Sequence, residues 1–161
     1  MGHYVVVVAE NSKGLSLHEF VEELGQDPMG QYIQYGEEDA LLKKWDMFPW
    51  QGKTYFALIS GPRVDYVGVY DFSDAPWVIA RLKKYGIEPA IPRITFCKLM
   101  LAVEKVAGGP IYTGEDMGHF NTTREAAECE KPYELPSKLD AFVPDWREKA
   151  DLPLEKPVLI W

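Results

Sequence analysis

A chain of 161 residues, 47% hydrophobic and 26% charged, has the size and composition of one ordinary domain, which excludes a fibrous or disordered protein. Its 25 acids against 17 bases give a net charge of −8, which argues against a nucleic-acid partner and for a basic protein. Cys97 and Cys129 are too few and too far apart for a disulfide framework or a zinc site, so no metal and no cofactor are expected.

The longest apolar run near the start, YVVVVA at 4–9, is strand-sized and far too short to cross a bilayer. No basic stretch followed by an apolar segment and a cleavage site precedes it. The expectation is a cytoplasmic protein with reduced thiols and no membrane contact.

In chain order, HYVVVVAE (3–10) reads as a central strand, because consecutive valines imply that both faces are covered. LSLHEFVEELG (15–25) reads as a helix with Ser16 as its cap and Glu19 completing a capping box. Leu17, Phe20, Val21 and Leu24 fall on one side of it, and Gly25 is read as its stop.

An aromatic, turn-rich insertion follows at 26–53, with a short helix expected near 37–47. A hairpin is expected from TYFALIS (54–60) and YVGVYDF (66–72) around a turn at 61–65. Ser73 or Asp74 then caps a helix over 75–86, with Pro76 in its first turn and Gly86 after its end. IEPAI (87–91) reads as an edge strand.

The resulting order, β-α-β-β-α-β, implies an α+β fold of the ferredoxin-like kind: an antiparallel sandwich with an inserted helical segment. An added helix is read at 93–109. Its apolar arc runs from Ile94 through Phe96, Cys97, Leu99, Met100, Leu101 and Val103 to Val106. So wide an arc implies a helix sandwiched within the chain or buried against another subunit.

Domain organisation follows as a core at 1–109 and an arm at 110–161. All 13 glycines lie at or before Gly118, while five prolines punctuate the remainder. Such a segment is stiff and extended, and Tyr133, Leu139, Trp146 and the terminal VLIW need something to pack on. The arm is also acidic: residues 107–161 hold 11 acids and 6 bases.

Candidate chemistry gathers in GEDMGHFNTTREAAEC (114–129). GPIYTG (109–114) has a phosphate-loop glycine spacing, but Glu115 and Asp116 stand where Lys and Ser or Thr are required. Thr122 and Glu125 read as a capping box, so helix initiation accounts for most of the cluster. Glu115, Asp116 and His119 remain as candidate acid–base groups should the protein be an enzyme.

YVGVYDF places Tyr66 and Tyr70 on one strand face, the way RNA-recognition sheets stack bases. Asp65, Asp71 and Asp74 surround it in place of bases. Trp45, Phe48, Trp50, Trp146 and Trp161 are the candidate binding aromatics; the first three, in the insertion, form a satellite core if buried.

The functional expectation is a non-enzymatic protein-interaction protein. It would be a subunit of a larger assembly, a homo-oligomer, or an acidic inhibitor or immunity-type partner of a basic protein. The alternative is a small enzyme or ligand-binding protein with a pocket near His119.

Overall fold

The structure, a computed structural model, describes residues 5–29, 45–58, 76–84, 86, 88–115 and 137–155. Those residues form an α+β fold around one antiparallel sheet. Strand β1 (Val5–Asn11) leads to helix α1 (Leu17–Gln26), then to β2 (Trp45–Trp50) and β3 (Lys53–Leu58). Helices α2 (Pro76–Lys84) and α3 (Ala90–Ala107) precede β4 (Gly108–Glu115). The short β5 (Ser137–Lys138), α4 (Leu139–Phe142) and α5 (Trp146–Ala150) complete the described chain.

The strand order is β2-β3-β1-β4-β5, so the valine-rich strand is central as its composition implied. Val7, Val8 and Ala9 are all buried, which requires cover on both faces. Register then sorts the side chains. Val7, Ala9, Phe56, Leu58, Trp45 and Ile111 join the main core with α1, α3, α4 and α5. Val8, Phe48, Tyr55 and Ala57 form a separate cluster on the opposite face.

Helix α1 forms as its sequence directs. The Glu19 N–H donates to the Ser16 hydroxyl at 3.1 Å, and the Ser16 N–H donates to the Glu19 carboxylate at 3.2 Å. Phe20 and Leu24 are buried and Leu17 and Val21 pack at their flank, so the apolar side predicted by helical spacing is the one that docks. The helix runs through Gly25 and ends at Gln26, one turn-residue later than expected.

Several segments take other forms than expected. Residues 45–47, assigned above to a short helix, belong to β2, while 37–44 lie outside the described residues. The hairpin pairs β2 with β3, not 54–60 with 66–72, and the latter segment lies outside the described residues. Its turn is Gln51-Gly52, with φ of 47° and 77°, the two left-handed residues of a type I′ connection.

Residues 88–91 of IEPAI do not form a strand. Pro89 adopts helical φ and ψ as the cap of α3, and Pro92 sits in the first turn, where its missing N–H costs no hydrogen bond. The strand that flanks β1 on that side is instead GGPIYTGE. The segment order assigned from the sequence is therefore not the one found.

That strand has a physical reason to carry glycine. Gly108 ends α3 in a left-handed conformation (φ 80°), its N–H bonding the Glu104 carbonyl. Gly109 lies against the irregular end of β1: a Cβ there would run into the Glu10 carbonyl and sit 2.6 Å from Glu10 Cβ. The Ala107 carbonyl accepts from the N–H groups of Ser12 and Lys13, and Lys13 Nζ reaches the Lys105 carbonyl at 2.6 Å. These donors satisfy carbonyls that a helix end leaves open. The core–arm boundary expected at 109/110 thus falls inside β4, and residues 110–115 belong to the sheet.

Candidate functional site

The wide apolar arc of α3 finds its partner within the chain. Phe96, Cys97, Leu99, Met100, Val103 and Ala107 are buried in one core with Leu139, Val143, Trp146 and Ala150 from the C-terminal segment. The other side of the helix meets the sheet. Sandwiching, not a second subunit, therefore accounts for most of the arc; Leu101 is the part left 40% exposed.

Polar contacts fix the segment at its rim. Lys98 Nζ donates to the Ala150 carbonyl at 2.7 Å, the indole N–H of Trp146 donates to Asp140, and Arg147 forms a two-pronged pair with Glu104 at 2.7 and 2.6 Å. Lys149 pairs with Asp145 and holds its carboxyl below the usual carboxylate range. Burial pushes the Cys97 thiol up to about 12, so it is neutral and unreactive at ordinary pH.

The five candidate binding aromatics separate. Trp146 is 1% exposed and Trp45 2%, both inside the main core, with the Trp45 ring edge-on to Phe20 at 4.9 Å. Phe48 is buried beside Tyr55, their rings 5.7 Å apart. These three side chains are buried in the fold itself, Trp45 and Trp146 in the main core and Phe48 in the smaller cluster. Trp50, half-buried and 6.1 Å from Tyr55, keeps an accessible edge. Trp161 lies outside the described residues.

On that same face Lys53 pairs with Glu10 at 3.1 Å. Tyr55 has its phenol pushed up by burial and secondarily by Glu10, so it remains uncharged. Tyr66 and Tyr70, the residues weighed for base stacking, lie outside the described residues.

The acid–base candidates are not assembled into a described site. Glu115 ends β4 opposite Val5, and Asp116 and His119 lie outside the described residues. Among the described residues no group of three His, Cys, Asp or Glu is placed to hold a metal ion. Among them also, no helix is long and apolar enough to cross a membrane.

What the structure adds is a charged surface on α1. With Phe20 and Leu24 turned into the core, His18, Glu19, Glu22 and Glu23 stand on the exposed side, and the helix contains no Lys or Arg. The Glu22 side chain is 64% exposed, with His18 the one neighbour of possible opposite charge among the described residues, at 4.0 Å. Bonding to the Ser16 backbone and hydroxyl lowers the Glu19 pKa, so this end of the face stays anionic to lower pH than a free carboxylate. The signal was present in HEFVEE: once the apolar residues are assigned inward, all the acids must point out.

No family model matches the chain, and neither a curated protein nor a solved structure matches it.

Proposed function

We propose that the chain is a non-enzymatic protein-interaction protein that uses its acidity to engage a basic partner, either as an inhibitor or immunity-type partner or as a subunit of an assembly. The observation that carries this reading is the outer face of α1. Glu23 lies in the last turn of a helix whose macrodipole disfavours negative charge there, and that turn contains no base. The placement gives up a little helix stability and turns the acids to solvent, where a basic surface could meet them. The net charge of −8 has the same sign and would steer a basic partner toward the molecule.

The apolar arc of α3 gives no support to a partner subunit, since it is covered in cis. The reading rests on charge instead of on exposed aromatics, with Trp50 the accessible exception. A reducing, cytoplasmic setting suits the free thiol that Cys97 holds in the core. For the fold relationship, a ferredoxin-like sandwich with reassigned strands is supported by the order β2-β3-β1-β4, antiparallel at each pairing, with helices after β1 and after β3.

The test is affinity capture from native lysate with the full chain as bait, washed at low and at high salt. The expected result is a basic protein retained at low salt and released as screening shortens the range of the interaction. Capture of only acidic or salt-insensitive partners sinks the charge-based reading. A small enzyme with a pocket near His119 gains nothing from the described residues and is not advanced.

A further inference from the structure

Strand β2 ends the described sheet, and the ladder fixes which of its backbone groups face outward. The two-residue turn at Gln51-Gly52 makes Trp50 and Lys53 the closing, hydrogen-bonded pair. Pairs alternate from there, so Phe48 and Asp46 bond to β3 while the backbone groups of Pro49, Met47 and Trp45 point away from it. An outward row of free N–H and C=O groups is a template for another strand.

Here two of the three N–H donor positions in that row are closed, those at 47 and 49. Pro49 has no N–H to offer. The Met47 N–H is taken by the Asp46 carboxylate at 2.8 Å, a bond that a paired strand would have replaced. Met47 is itself 38% exposed, which places an apolar side chain beside the edge that the two neighbours close.

We infer that Asp46 and Pro49 act together as a guard that keeps β2 from adding a strand of a second copy of this chain. The inference is independent of the charge-based reading of α1: it says which edge a partner does not use, and why. Its chemistry is simple, because strand addition at this edge would have to break the Asp46–Met47 bond and would still lack the donor at position 49.

The experiment compares the full-length wild type with the Asp46→Ala/Pro49→Thr variant by light scattering over a concentration series, with circular dichroism to confirm the fold. The expected result is a concentration-dependent rise in mass for the variant, about twofold for pairing about a symmetric edge. Adding Met47→Lys, a charge on the same edge, is expected to restore the wild-type mass. A folded double variant that keeps the wild-type mass throughout overturns the inference, as does a rise that survives Met47→Lys.

A second measurement avoids dependence on the double variant. In Asp46→Ala alone, the Met47 amide should exchange with solvent about tenfold faster, having lost a charge-assisted acceptor. An unchanged exchange rate means the carboxylate does not hold that amide, and overturns the guard.

Discussion

Thr113 puts a hydroxyl on the core side of β4, fully buried and without a hydrogen-bond partner among the described residues. A buried donor left unpaired carries its desolvation cost with no return, so replacing it by an isosteric methyl removes a penalty. Thr113→Val is expected to raise stability by about 1 kcal/mol, read as a later urea midpoint with unchanged slope. An earlier midpoint would show that the hydroxyl is satisfied after all.

Gly109 makes the opposite case, because the added methyl of Ala would meet backbone, which has little freedom to yield. Gly109→Ala should cost about 3 kcal/mol in the same assay. At Glu19 the consequence is one of pH. Its folded pKa lies below the unfolded value, so the folded chain binds fewer protons. The contribution is present above the unfolded carboxylate pKa and is lost as pH falls through the folded one. Ser16→Ala, which leaves the Ser16 backbone N–H on Glu19 but removes the hydroxyl cap, should cost about 1 kcal/mol at neutral pH and lessen that acid dependence. A variant with the full acid sensitivity of the wild type would contradict it.

Among the elements, α1 and α3 were legible because long apolar periodicity and a capping box survive any tertiary context. Strand β4 was not. Gly108, Gly109, Pro110 and Gly114 read as loop punctuation, and only the crowding at Glu10 and the left-handed end of α3 reveal why small residues belong in a strand there. Strand β2 was hidden the same way: Pro49 argues against a strand unless the segment lies at an edge, and edge position cannot be read from one sequence. For the site, acids at 22 and 23 are visible in the sequence, but that they stand on the exposed side follows only from the packing of α1.

The C-terminal element gives the clearest energetic prediction. Trp146 is locked between α3 and the rim contacts of α5, so Trp146→Ala leaves a large void over Cys97 and Met100 and should cost about 3–5 kcal/mol. Arg147→Ala removes an exposed pair with Glu104 and a guanidinium 4.4 Å from the Trp146 ring, and should cost under about 1 kcal/mol. Thermal or urea unfolding distinguishes the two. Equal effects would mean that the rim and not the core holds the segment.

On the scale of the whole molecule, the covered arc of α3 and the loss of two donors from the edge of β2 both reduce the ways in which the described residues can associate through apolar or backbone contacts. Among the described residues, α1 is the element that shows acids, Glu22 and Glu23, to solvent with no Lys or Arg on the same helix. Stability and binding then respond in opposite directions to the same change. Glu23→Lys places a cation in the last turn of α1 and should raise stability by about 0.5 kcal/mol, while it weakens a basic partner's hold.

The affinity of the captured partner for the wild type and for Glu22→Lys/Glu23→Lys, measured at one fixed ionic strength, is the most direct test. The double charge reversal should weaken binding by about tenfold or more while the variant stays folded and at least as stable as the wild type. Unchanged affinity in a folded variant would contradict the claim that the acidic face of α1 carries the interaction.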